Sequence, residues 1–197
     1  MDGLNRKVED KEPGGIDPVQ NETSLPEKSG DFETRRVAGG NPSEEGFNVY
    51  VEFIEKMHEK YPDHDYPYSE SLKKIEGVKL VAYVSLDSKG ETVGVLNGEK
   101  NDRKLTMSWF IIDPECKNTN VAKELWNMAF ADFDKIQLNA EVFGLERGLT
   151  DEQRASRQNA LVRYYKRLGF KPDKDAPFYE HPYNPLKPMP MIWEKEK

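Results

Sequence analysis

The stretch from Ile112 to Ala122 reads Ile-Asp-Pro-Glu-Cys-Lys-Asn-Thr-Asn-Val-Ala, an apolar run that stops at a proline and then enters a helical pattern. A strand that ends in a tight loop and opens a helix leaves backbone N–H groups unpaired at the positive end of the helix dipole. That arrangement suits a phosphate or pyrophosphate. Lys117 adds a cation beside it. Many such joints bind no anion, so a second signal is needed.

Other residues of reactive type are Tyr164 and Tyr165, Cys116 and the histidines. A tyrosine in an amphipathic helix is more often a core aromatic than a proton donor. Cys116 has no histidine within several residues to lower its pKa, so a passive thiol is expected. His64 lies in Tyr61-Pro62-Asp63-His64-Asp65-Tyr66-Pro67-Tyr68, an acidic, aromatic loop. His58, His64 and His181 are too scattered for a metal motif, and one cysteine excludes a disulfide framework or a cysteine-rich zinc site.

The elements that must position these residues follow from periodicity. Residues 1–31, acidic and rich in Pro, Gly and Ser, have too few aliphatic side chains to offset the entropy of ordering and are expected to form a disordered tail. Residues 32–197 then form one domain. Phe32 to Val37 is an edge-strand candidate. Asn41 or Ser43 is expected to cap a helix carrying Phe47, Tyr50, Val51, Ile54, Met57 and Tyr61 on its apolar face, ended by Pro62. A short helix is expected around Glu70 to Ile75.

Three strands follow, Val78 to Leu86, Thr92 to Leu96 and Leu105 to Ile112, turning at Asp87–Gly90 and Gly98–Asp102 in an antiparallel meander. The pattern then changes. Asn120 to Phe133 is helical, Ile136 to Phe143 a strand, and Thr150 with Gln153 a capping box opening a helix that Gly169 stops. Met189 to Trp193 is a final strand, preceded by a Pro- and Tyr-rich loop from Phe178. The sum is an α/β (α+β) fold, with a mixed, mostly antiparallel sheet of six or seven strands and helices on both faces.

At this point two segments resemble a family. Ile112-x-Pro114, Lys117, Asn120 and Ala122 are similar to the acetyl-coenzyme A loop of the GCN5-related N-acetyltransferases (GNAT), which runs hydrophobic-x-Pro, Arg or Gln, two residues, Gly, one residue, Gly or Ala. Asn159-Ala160 followed by Tyr165-x-x-x-Gly169-Phe170 is similar to the family's second signature. The resemblance spans about Phe32 to Trp193. Asn118 and Asn120 stand where the family usually has glycine.

The resemblance implies roles. Backbone N–H groups of Asn118, Thr119, Asn120, Val121 and Ala122 would hold the pyrophosphate of acetyl-CoA, with Lys117 beside it. Phe110, Ile111 and Ile112 would offer a strand edge, splayed from Leu138 to Val142, to the pantetheine arm, and Asn159 would hydrogen-bond that arm. Tyr165 would protonate the leaving thiolate. Family members often carry a carboxylate base on the strand before the loop; here the inward candidates are Thr106 and Ser108, and Glu141 on the next strand is the substitute. Arg147, Arg154 and Arg157 are candidates for the 3′-phosphate, with a solvated helix face as the favoured alternative.

The implied activity is N-acetyltransfer from acetyl-CoA to a primary amine by direct attack, on a small-molecule amine or a protein or peptide amine. The alternative is a catalytically degenerate GNAT-fold binding or scaffold protein, favoured by the two asparagines and the missing carboxylate. A net charge of −7 argues against nucleic acid, and no apolar run reaches membrane-spanning length. A cytoplasmic monomer or homodimer with no metal is the remaining expectation. An acidic module that mimics DNA would need clustered charge, whereas these charges are mixed.

Overall fold

Alternation along the chain sorts the core into two layers on either side of one sheet. The structure is a computed structural model and describes residues 32–37, 45–66, 80–117, 119–142 and 148–196. The expected tail, the caps at Asn41 and Ser43 and the helix at Glu70–Ile75 lie outside the described residues.

Seven strands are ordered β1-β2-β3-β4-β5-β7-β6, with β1 Glu33–Val37, β2 Leu80–Leu86, β3 Thr92–Asn101, β4 Lys104–Ile112, β5 Lys135–Ala140, β6 Lys171–Pro172 and β7 Met189–Glu194. Only β4 and β5 run parallel; every other pair is antiparallel. The helices are α1 Glu45–Lys60, α2 Val121–Asp132 and α3 Asp151–Arg167.

Helix α1 covers one face, burying Tyr50, Phe53, Ile54 and Met57 against Val84, Val95 and Ile111. Phe53 is a core residue the periodic stripe did not include. Helices α2 and α3 cover the other face, where Val121, Leu125, Trp126, Val162 and Tyr165 meet Val81, Tyr83, Ile136 and Leu138. Burial of each such large side chain stabilises the fold by roughly 1.5–3 kcal/mol.

The capping box forms in full: the N–H of Gln153 donates to Thr150 Oγ1 and Gln153 Oε1 accepts from the Thr150 N–H. Gly169, at φ 92°, ends α3 in a left-handed turn. Two expected boundaries move. Strand β3 continues through Gly98 to Asn101, so the turn is only Asp102–Arg103; Gly98 faces a bulge and not a turn. Strand β5 stops at Ala140, and the Val142 N–H two residues on donates to the side chain of Gln158 on α3. No helix among the described residues is long and apolar enough to cross a membrane.

Candidate active site

The parallel ladder between β4 and β5 is short. It pairs Lys104 with Lys135, Leu105 with Ile136 and Thr106 with Gln137, and then the strands part. Each keeps its outer neighbour, β4 pairing with β3 to Ile112 and β5 with β7 to Ala140. The result is a wedge-shaped fork, open between Met107–Ile112 and Leu138–Ala140.

A bulge sets the fork. Asn97 pairs with Trp109 and Gly98 with Met107, leaving Ser108 as the extra residue of β4. Gly98 permits it: a Cβ there would lie 2.4 Å from the Thr106 carbonyl oxygen and 2.8 Å from Met107 Cα. The apex is anchored by Arg103, whose guanidinium forms two hydrogen bonds to Asp134 while its carbonyl accepts the Asp134 N–H at 2.8 Å.

At the open end, β4 runs into the loop before α2. Asp113 caps a short 3-10 turn, Pro114–Cys116, by accepting the Glu115 N–H at 3.0 Å. Thr119 Oγ1 donates to the Cys116 carbonyl at 2.6 Å. Asn120 is the N-cap of α2 at φ −72°, ψ −5°, so no left-handed backbone is required of it. Its side chain makes no cap hydrogen bond, and its Oδ1 is buried without a partner. The Thr119 N–H is taken by the Cys116 carbonyl at 3.2 Å and the Val121 N–H by Thr119 Oγ1 at 3.4 Å, while the Asn120 side chain satisfies none of the first-turn amides of α2, with exposed Lys117 nearby. These residues fit an anion such as a pyrophosphate. Asn118 lies outside the described residues.

Asp113 also ties this loop to α1. Its carboxylate, 4% exposed, accepts from Lys60 Nζ at 2.9 Å and from the Tyr61 hydroxyl at 2.8 Å. Burial alone would raise this carboxyl, but the Glu115 N–H, the Lys60 ammonium and the Tyr61 hydroxyl outweigh it and hold the carboxyl below its ordinary range. Lys60 bonds Glu115 as well, at 2.8 Å. Sequence reasoning passed over Asp113 as the variable position between Ile112 and Pro114. Its three partners come from segments up to 53 residues away, which no local pattern reveals.

The aromatic residues of α3 divide. Tyr165 is 3% exposed and packs edge-on to Trp126 and Phe170, at 5.8 and 5.5 Å between ring centroids. Burial pushes its hydroxyl far up, which keeps it protonated. Tyr164 is half-buried and stacks on Phe110 of the fork's β4 edge, at 6.4 Å and 6°. Burial raises its hydroxyl to about 12.

Asn159 is half-buried on α3, beside Gln158, a residue not foreseen. Gln158 is 5% exposed; its Oε1 accepts the Val142 N–H at 3.1 Å and its Nε2 donates to the Ala140 carbonyl, so it clamps the last residues of β5. Glu141, just past β5, lines a small cavity of about 110 Å³ with Gln158, Arg154 and Leu186, and partial burial raises its carboxyl. Tyr165 is not among the residues of that cavity. Thr106 and Ser108 are both exposed, Thr106 opposite Gln137 on the last rung of the β4–β5 ladder and Ser108 at the bulge. Arg154 and Arg157 are exposed on α3, and Arg147 lies outside the described residues. His64 stacks against Tyr61 at 5.3 Å and Tyr66 at 5.9 Å, making an aromatic wall beside Asp113's partner Tyr61. No group of three or more metal-ligating side chains occurs among the described residues.

Residues 43–193 match the family described as "Acetyltransferase (GNAT) domain". No curated protein matches the sequence. Solved structures share the fold. One is a Klebsiella pneumoniae protein provisionally described as an acyl-CoA N-acyltransferase, 16% identical over 83% of this chain and 97% of that one, TM-score 0.52. Another is a GNAT-family acetyltransferase from Staphylococcus aureus, 12% identical, covering 83% and 100%, TM-score 0.50. A third is a mutant form of the spermidine/spermine N-acetyltransferase of Vibrio cholerae, 16% identical, covering 83% and 94%, TM-score 0.50. At these identities the likeness is one of fold. The family match covers most of the chain: it belongs to the GNAT acetyltransferase family.

Proposed function

We propose that this GNAT-family chain is an N-acetyltransferase that takes an acetyl group from acetyl-CoA and delivers it to a primary amine by direct attack. The observation that carries the reading is the fork: a bulged β4 edge at Met107–Ile112, unpaired on its β5 side, that leads into a helix whose N-cap side chain, Asn120, makes no cap hydrogen bond. Acetyl-CoA, when bound, supplies an activated thioester carbonyl. The amides of Asn120 and Ala122 at the start of α2, with Lys117, hold its diphosphate, and the weaker 3.4 Å bond of the Val121 N–H to Thr119 Oγ1 gives way to it. The free backbone of Phe110, Ile111 and Ile112 takes the pantetheine arm as a sheet takes an added strand, and one N–H of that edge faces the carbonyl oxygen. Asn159 hydrogen-bonds the same arm.

Tyr165 gives its proton to the leaving sulfur, a role that a hydroxyl kept protonated by burial can fill. Glu141, raised by its surroundings, accepts the proton lost by the amine. Calorimetric titration with acetyl-CoA tests the first half of the reading, and ligand at 100 times its dissociation constant should stabilise the fold by about 2.7 kcal/mol. Absence of both heat and stabilisation would remove it.

One observation favours a binding role without turnover: the buried, unpartnered Oδ1 of Asn120 presents an acceptor where a diphosphate needs donors. Replacing Asn120 with glycine separates the readings. An enzyme gains affinity for acetyl-CoA or is unchanged, whereas a scaffold blocked by this carboxamide acquires binding it did not have.

A further inference from the structure

On the sheet face turned away from α2 and α3 lies a groove of about 640 Å³, a volume typical of small-molecule sites. Ile136, Leu138 and Ala140 pack towards those helices, so Gln137 and Asn139 line the groove, walled by the segment from Asp173 to Phe178. The groove begins where the fork begins. Thr106 and Gln137, the last rung of the β4–β5 ladder, both line it.

One carboxylate in this groove lacks a counter-charge. Asp173 is 8% exposed. Its Oδ2 accepts from Gln137 Nε2 at 2.8 Å and its Oδ1 from the Asp175 N–H at 3.3 Å. No salt bridge among the described residues reaches it. Of the two lysines lining the groove, Lys135 is bound to Glu194 at 3.0 Å, and Lys174 is exposed. Two neutral donors offset only part of the cost of burying an ionised carboxylate. At the rim, Asp175 adds an exposed carboxylate and Phe178 a ring that is 75% exposed. A buried anion flanked by an uncovered aromatic is the setting in which an ammonium group binds.

We propose that this groove receives the amine acceptor, that Asp173 is its charge-recognising residue, and that the acceptor is a diamine. One ammonium rests on Asp173 while the other nitrogen, deprotonated, reaches the fork across Gln137. This rests on the N-acetyltransferase reading. In the transfer the nitrogen forms a bond to the acetyl carbon and the C–S bond breaks with its electron pair to sulfur. One proton passes from nitrogen and one thiol is released.

Calorimetry on the full chain, without acetyl-CoA, compares diaminobutane with butylamine. The diamine should bind about tenfold tighter or more, and Asp173→Asn, which keeps an acceptor for Gln137, should abolish that preference. Lys174→Ala, a change at an exposed site, should tighten diamine binding a few-fold by removing the competing cation. If Asp173→Asn does not fold, the Lys174 variant decides. Equal binding of the two amines by the parent, or a diamine affinity unmoved by Lys174→Ala, would overturn the proposal. Preference for the diamine with no acetyl transfer to any amine would support the groove as a diamine site and overturn the reaction assigned to it. Equally efficient transfer to both amines would uphold the reaction and overturn the subsite.

Discussion

The Tyr61 hydroxyl donates a 2.8 Å hydrogen bond to the Asp113 carboxylate, joining the end of α1 to the residue that caps the turn before α2. The end of α1 is thereby fastened to the loop assigned to the diphosphate. Lys60 makes the second strut to the same carboxylate.

Removing this charge should loosen both loops. Asp113→Asn is expected to cost about 1–3 kcal/mol in urea unfolding, since buried donors lose a charged partner. The carboxyl titrates below its ordinary value of 3.8 in the folded state. Its contribution is thus fully present above that value and is lost as pH falls through the lower folded value. Wild-type stability should decline in that acid window more steeply than that of the Asn variant. Identical pH profiles would show that the carboxylate does not carry the tether.

The bulge leaves no room at Gly98. Gly98→Ala would drive a methyl group into the Thr106 carbonyl and should cost about 1–3 kcal/mol or more, with β4 shifted at Ser108. If the fork is the donor site, affinity for acetyl-CoA should fall in parallel. An alanine variant with parental stability and affinity would contradict the role given to the bulge.

Tyr165 and Tyr164 can be separated by kinetics. With Tyr165 as proton donor, Tyr165→Phe should lower kcat about a hundredfold or more and leave acetyl-CoA affinity near parental. Tyr164→Phe retains the ring that stacks on Phe110 and should leave kcat within a few-fold. The reverse pattern would move the acid to Tyr164.

Gln158 predicts an effect on binding and not on chemistry. Gln158→Ala leaves the Val142 N–H and the Ala140 carbonyl without their side-chain partner, at about 1–3 kcal/mol. The freed end of β5 should raise KM for acetyl-CoA more than it lowers kcat. A loss confined to kcat would be inconsistent with a clamp.

Periodicity made most of the frame legible, because strands buried on both faces and capped helices are written locally: β2, α2, the Thr150 box and the stop at Gly169 all follow from neighbours in sequence. The fork was legible only through the resemblance carried by Ile112-x-Pro114 and Tyr165-x-x-x-Gly169-Phe170. What stayed hidden is long-range. Asp113 takes its meaning from Lys60 and Tyr61, Asp173 from Gln137, and Gln158 from the backbone of Ala140 and Val142. The bulge at Ser108 stayed hidden for the same reason, since it is fixed by the partner strand and its glycine.

The divergence of β4 from β5 leaves a stretch of mainstream sheet with no partner on one flank, walled by packed helices. The amides on that flank should exchange with deuterated water faster than those paired on both flanks of the sheet. A long, narrow ligand lying in the cleft would complete the ladder, and the sheet would be continuous only while it is loaded.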